Sequence, residues 1–289
     1  MTTTIRSDAS GTYGALQVNG ADVLRFGTDN SGALSGFRNT IINGNFQVNQ
    51  RVYVSGAAVG TNLYGHDRWK MAASSDTYTF VTALNVTTVT IPAGKVLQQV
   101  IEGLNLQSGT YTLSWVGTAQ GKIGAGAYGA SGTTGTAVGG TNLTIEFGPG
   151  TVSKVQLEFG SIATPFENRP YGLELSLCQR YYYRVPYGIA GQVFGSGFNQ
   201  TTSTAYIFGN FPVAMRIPPP LLEHSGVATD YRVNVLNSAV VCTSTPGIAT
   251  CSTTSYFLLF TTAATLIAGQ GCLGACQNTN AFLGLSSEL

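Results

Sequence analysis

Thirteen carboxylates in 289 residues are the first place to look for catalysis. Glycoside cleavage needs two of them held about 5 to 9.5 Å apart, one to deliver a proton and one to activate water or attack. Asp67, Glu146, Glu158 and Glu167 lie in strand or turn contexts, where a carboxylate reads as solvated or salt-bridged. Nucleophilic chemistry has less to draw on. The two histidines, His66 and His224, stand outside any Gly-x-Ser-x-Gly or Cys-His signature and read as surface or hydrogen-bonded groups. The Gly-rich stretch from Gly121 to Gly140 lacks the Gly-Lys-Ser/Thr ending of a phosphate loop and reads as a mobile loop at a rim. The expectation is a protein with no catalytic residue and no cofactor, that is, not an enzyme.

Five cysteines offer a second kind of chemistry. Cys242 and Cys251 flank the turn-like Thr243-Ser244-Thr245-Pro246-Gly247, and Cys272 and Cys276 bracket Leu273-Gly274-Ala275. Each pair is open to two readings, a disulfide across a turn or two buried thiols. Neither spacing is the Cys-x2-Cys of a zinc site and the histidines are remote, so no metal is expected. Cys178 falls beside Leu177 on the apolar face of a short helix, where packing is its role.

Recognition remains, and aromatics carry it. A flat ring stacks on a sugar ring while amides and hydroxyls fix its orientation. Tyr64, Trp69, Tyr128, Tyr182 and Tyr183 are the candidate glycan contacts. Trp69 and Trp115 read more readily as core, and Tyr181 as a helix contact.

The elements that must hold these residues follow from composition and period. Charged residues make up 9% of the chain and hydrophobic ones 43%, so the chain folds but draws its solubility from hydroxyls, amides and backbone. With 14 basic and 13 acidic residues spread thinly, no basic stripe exists to displace counterions from nucleic acid. Short apolar–polar alternations mark half-buried strands: Tyr111, Leu113, Trp115; Leu143, Ile145, Phe147; Val155, Leu157, Phe159; Tyr231, Val233, Val235. Leu173, Leu177 and Tyr181, spaced by four after Pro170, mark a helix over 172–183. Residues 1–38 read as an arm with an Asn19-Gly20 hairpin whose Leu16, Val18, Ala21 and Val23 share one apolar face, an attachment and oligomer surface. Residues 39–170 read as a strand-rich module and 171–289 as the helix plus a C-terminal β-domain. The segment Met1-Thr2-Thr3-Thr4-Ile5-Arg6-Ser7 lacks the apolar core of a signal peptide, and no run approaches the roughly 18 apolar residues of a membrane helix. Release by lysis, without membrane insertion, is the expectation.

Three motifs carry a resemblance. They are Arg38-Asn39-Thr40-Ile41-Ile42-Asn43-Gly44-Asn45-Phe46 with Gln50-Arg51 and Asp67-Arg68-Trp69; Val155-Gln156-Leu157-Glu158-Phe159-Gly160-Ser161 with Ala163-Thr164-Pro165-Phe166-Glu167, Arg169-Pro170 and Cys178-Gln179-Arg180-Tyr181-Tyr182; and Gly14-Ala15-Leu16-Gln17-Val18-Asn19-Gly20 with Phe282-Leu283-Gly284-Leu285. In these the chain resembles bacteriophage tail-fibre and related virion proteins. The resemblance implies an all-β chain with a jelly-roll sandwich like that of carbohydrate-binding modules, a β-sandwich-like C-terminal domain, and assembly as a homotrimer on the virion. A fibre contacting host-surface polysaccharide and joined to other phage structural proteins through its arm is the leading expectation. A head, collar or tail decoration protein is the second, and a polysaccharide depolymerase the third.

Overall fold

The computed structural model describes residues 37–60, 62–185, 189–236 and 238–289, together with the backbone of three N-terminal strands. The fold is all-β, built from antiparallel sheets with one short α-helix. Among the described residues no helix is long and apolar enough to cross a membrane.

The N-terminal strands are β1 (Thr3–Ser7), β2 (Tyr13–Val18) and β3 (Ala21–Gly27), in the order β1-β2-β3. The expected hairpin is therefore joined by a further strand. Val18 pairs with Ala21, and a register shift after Leu16 sets Leu16 opposite Leu24. The apolar face proposed for Leu16, Val18, Ala21 and Val23 concerns side chains outside the described residues.

The chain divides into two compact units, Met1–Gln47 with Tyr53–Arg169, and Val48–Val52 with Pro170–Leu289. In the first unit nine strands follow the N-terminal three: β4 (Lys70–Met71), β5 (Thr79–Ala83), β6 (Val86–Ile91), β7 (Leu97–Ile101), β8 (Gly109–Val116), β9 (Gly121–Ile123), β10 (Thr133–Ala137), β11 (Leu143–Phe147) and β12 (Gly150–Phe159). They form a five-stranded sheet, β10-β8-β12-β6-β5, and a four-stranded sheet, β4-β7-β11-β9. From β6 to β12 each successive strand changes sheet, and β12 and β11 each slot between strands laid down earlier. That is the winding of a jelly roll. The period-two pattern explains the two layers, since Leu113, Trp115, Ile145, Phe147, Val155 and Leu157 all turn inward and are buried. The Gly121–Gly140 stretch departs from its reading as a loop, because it supplies β9 and β10. Gly135 permits this; a Cβ there would meet Ile123 at 2.8 Å.

The motif residues close this unit. Asn39 Oδ1 accepts the backbone N–H groups of Ile41 and Leu157, each at 3.0 Å, and its Nδ2 donates to Val155 O. Gly44 lies against Val155 O so closely that a Cβ would sit 2.2 Å away. On the other face of β12, Gln156 and Glu158 are also buried, under residues 163–169. Glu158 accepts the Thr164 N–H at 2.8 Å and the Thr164 hydroxyl at 2.6 Å, and Gln156 Oε1 accepts the Glu167 N–H at 2.8 Å. Glu158 and Glu167 are thus structural carboxylates.

The β5–β6 hairpin turns on Leu84 and Asn85, with φ of 51° and 60°. Two successive positive φ values make a type I′ turn, which favours Asn or Gly at its first position. Leu84 is instead 99% exposed there. The turn is braced from below, since Asn85 O accepts Asn45 Nδ2 at 3.1 Å and Gln47 Nε2 at 3.0 Å. Leu84→Asn should raise the stability of this unit by about 1 kcal/mol, the left-handed cost of a bulky residue, read as a higher urea midpoint. A lower midpoint would contradict this account of the turn.

The second unit holds α1 (Tyr171–Gln179), then β13 (Tyr182–Val185), β14 (Val193–Asn199), β15 (Thr204–Asn210), β16 (Leu221–His224), β17 (Tyr231–Val235), β18 (Ser238–Val241), β19 (Gly247–Cys251), β20 (Ser255–Thr261), β21 (Gly271–Cys276) and β22 (Leu283–Ser286). A seven-stranded sheet, β18-β17-β21-β14-β15-β20-β19, and a three-stranded one, β13-β22-β16, share one core that includes Phe194, Ile207, Tyr231, Leu258 and Phe260 with Val185, Leu283 and Leu285. The helix is shorter than the 172–183 expected, because Tyr182 and Tyr183 pair with Ser286 and Leu285 of β22. Aromatic residues favour that pleated setting. Its buried stripe runs through Glu174 and Cys178 rather than Leu173 and Leu177.

Neither cysteine pair is a disulfide. Cys272 and Cys276 sit in the one strand β21, ~13 Å apart at strand rise, beyond the ~7 Å limit between bridged Cα atoms. Cys242 bridges to Thr262 while Cys251 pairs with Tyr256, and those two partners lie ~20 Å apart along the strand direction. Burial pushes the Cys242 thiol up to about 12 and those of Cys272 and Cys276 up to about 11. Thiols so held are poor nucleophiles.

Candidate polysaccharide-binding face

The outward face of the four-stranded sheet carries the candidate site. Register sets Lys70 opposite Gln98, Gln98 opposite Glu146, and Glu146 opposite Lys122. Residues directly opposite share a face, so these four form one polar row across β4, β7, β11 and β9, spanning ~14 Å at normal strand spacing. Their chain neighbours Met71, Leu97, Ile145, Phe147 and Ile123 are buried on the other side.

A tyrosine stands at each end. Tyr64 forms an isolated bridge to Lys70, whose Nζ lies 5.9 Å from the Tyr64 ring centroid. Tyr128, between β9 and β10, is 40% exposed and donates its hydroxyl to Glu146 Oε2 at 3.1 Å. Lys122 Nζ lies 2.9 Å from the same carboxylate oxygen and 5.2 Å from the Tyr128 ring centroid. Gln98 Nε2 donates to Glu146 Oε1 at 2.9 Å. Partial burial, then the hydrogen bond and charge of Glu146, push the Tyr128 hydroxyl up to about 12. It therefore stays a neutral donor at all physiological pH, and its position is fixed by Glu146 at the hydroxyl and Lys122 near the ring.

Beside Tyr128 opens a cleft of about 530 Å³, whose lining includes Lys95, Thr118, Gln120 and Pro149. Lys95 is held by Asp76. The cleft thus offers an exposed ring, an ammonium, an amide and a hydroxyl. A ring and polar groups so placed are the elements with which a sugar is bound, the ring against its C–H face and the polar groups to its hydroxyls. Proton transfer is poorly served, since both Glu146 oxygens are engaged and Asp76 is ion-paired. Among the described residues no group of three His, Cys, Asp or Glu side chains is placed to hold a metal.

The five aromatic candidates separate. Tyr128 borders the cleft, and Tyr64 caps the opposite end of the row although it is only 9% exposed. Trp69 is a correction: it is fully buried, 4.7 Å from the Phe46 ring centroid, and its Nε1 donates to Asn43 O at 2.9 Å. Tyr182 is another, fully buried in the second unit beneath the Arg51 guanidinium at 3.6 Å. Tyr183 is half-buried and edge-on to Phe211, with burial raising its pKa. Neither Trp69 nor Tyr182 is open to a sugar, and Tyr183 presents only part of its ring. His224 Nδ1 accepts the Gly226 N–H at 3.1 Å and His66 is buried, so both histidines serve structure. Gln98, Lys122, Lys95 and Gln120 were not legible as site residues. Each is an ordinary polar position on a strand or turn; register brings Gln98 and Lys122 to Glu146, while Lys95 and Gln120 meet only at the cleft.

No protein-family model matches this chain, and no curated protein matches it.

Proposed function

We propose that the chain is a fibre-like structural subunit of a bacteriophage virion that binds host-surface polysaccharide without cleaving it. The observation that carries this reading is the Tyr128–Glu146–Lys122–Gln98 constellation on an open sheet face beside a cleft. It supplies an anchored, exposed ring beside the cleft and engages both oxygens of Glu146, so that carboxylate is not free for acid–base work. The motif resemblance supplies the virion setting, with the N-terminal arm as the attachment to other phage structural proteins and a homotrimer as the assembly. Three copies on one fibre would turn weak single-site affinity into useful avidity.

The test is titration of the full chain with purified surface polysaccharides from candidate host bacteria. Tyr128→Ala should weaken binding roughly tenfold, about 1.4 kcal/mol, while Tyr128→Phe, which keeps the ring, retains most of it. Unchanged affinity in Tyr128→Ala, or release of reducing ends during the titration, would overturn the proposal.

A further inference from the structure

The cleft beside Tyr128 carries a charge as well as a ring. Part of its lining is the turn at 92–95 between β6 and β7, closed by the Lys95 N–H donating to Pro92 O at 3.1 Å, with Gly94 at φ 73°. That left-handed value is the one the third residue of a type II turn takes. The turn brings Lys95 to the cleft, where its Nζ pairs with Asp76 Oδ1. The two ends of the pair are not equally wet, since the Lys95 side chain is 41% exposed and that of Asp76 only 8%. An ammonium has three donors, and Asp76 takes one of them. At Tyr128 the Lys122–Glu146 pair is nearly balanced, at 22% and 19%, and both Glu146 oxygens are engaged. Among the described side chains of the first unit every carboxylate is buried or ion-paired. A ligand entering the cleft therefore meets the positive end of a fixed ion pair and no bare carboxylate.

We infer that the sugar held in this cleft is an acidic one, with its carboxylate or phosphate group on Lys95 and its ring against Tyr128. The inference rests on the polysaccharide-binding reading and names the class of polysaccharide. A neutral hydroxyl gains little at Lys95, because it only replaces water on the ammonium. An anion adds Coulombic attraction, and Asp76, the more deeply buried of the pair, cancels only part of it. The same pairing holds the ammonium in place before the ligand arrives, so less side-chain freedom is lost on binding. Two ammoniums do not make the basic stripe that a nucleic acid backbone requires. An acidic glycan is the anionic polymer that one ring beside one outward ammonium fits.

Titration of the full chain with the same surface polysaccharides, in sodium chloride from about 0.01 M to about 1 M, tests it. The screening length falls from about 30 Å to about 3 Å over that range, so affinity for the polysaccharide that binds should fall several-fold. Lys95→Gln combined with Asp76→Asn replaces the ion pair by two amides and strands no buried carboxylate. This paired variant should bind about fivefold more weakly at low salt, the size of one solvent-exposed ion pair, and should lose most of the salt dependence. Lys95→Arg should keep both. Reducing the polysaccharide's carboxyl groups, or stripping its phosphates with hydrofluoric acid, should reproduce the loss, and the treatment that does so identifies the acid. Both treatments act on the ligand of the wild-type protein, so the test holds even if the paired variant fails to fold. Binding that is indifferent to salt and to both treatments would overturn the inference and leave polysaccharide binding standing. A salt dependence that persists in the folded paired variant would overturn the assignment to Lys95, and failure to bind any of the polysaccharides would overturn the inference together with the reading it rests on.

Discussion

Replacing Arg169 by leucine is expected to destabilise the first unit by about 3–5 kcal/mol, the cost of breaking a buried ion pair by removing one partner. Arg169 Nε pairs with Glu167 Oε1 at 3.1 Å, Nη1 donates to Ile41 O at 3.0 Å, and Nη2 donates to Asn39 O. Glu167 Oε2 in turn accepts the Asn39 N–H at 3.0 Å. The guanidinium therefore clamps the segment leading into the jelly roll to the segment leaving it. Leucine fills some of the volume but strands two carbonyls and a carboxylate in a site where Arg169 is 8% exposed. Each unsatisfied group carries its own desolvation cost. Urea unfolding followed by Trp fluorescence would measure it, since Trp69 and Trp115 both lie in this unit's core. A loss under 1 kcal/mol would show that the motif residues are not what closes the fold.

The second large effect is a dependence on pH centred on His66. Its Nδ1 lies 2.7 Å from the Tyr78 hydroxyl, which also accepts the His66 backbone N–H at 2.7 Å. Phe46 and Phe80 face that ring edge-on at 5.9 and 4.6 Å between centroids. Burial lowers its pKa to about 4 from the ordinary 6.5. Between those values the unfolded chain takes up the proton and the folded one does not, so stability falls as pH drops from about 6.5 to about 4. The loss amounts to about 3 kcal/mol and levels off below the folded pKa. His66→Gln removes this titration. The difference between wild-type and variant unfolding free energies should narrow by that amount across the interval, whatever the acids contribute to both. A constant difference would show that His66 is charged in the folded protein.

The reach of the residues themselves is uneven, for physical reasons. Strands such as Leu143–Phe147 are legible because burying one face of a pleat forces alternation, and every second residue there is buried. The short helix is legible at its start, where Pro170 and Glu174 mark it, but not at its end. There the tyrosine run is drawn into pairing with β22, a partner a hundred residues away. The cysteine pairs left two readings open for a similar reason: nearness in sequence says little about nearness in a sheet, where Cys272 and Cys276 share one extended strand. The Gly121–Gly140 stretch looked loop-like because glycine there serves close packing against Ile123 and not only flexibility. Of the candidate site, Tyr128 was legible from its residue type, and Trp69 was the same signal attached to a core ring. The partners of Tyr128 depend on the β7-β11-β9 register, which no local pattern encodes.

Hydrogen exchange on the full chain, with and without a saturating oligosaccharide from a host polysaccharide that it binds, addresses the central claim most directly. The account predicts added protection in β7, β9, β11 and the turn bearing Tyr128, with the oligosaccharide recovered uncut. Protection confined to the second unit, or a shortened oligosaccharide, would contradict it.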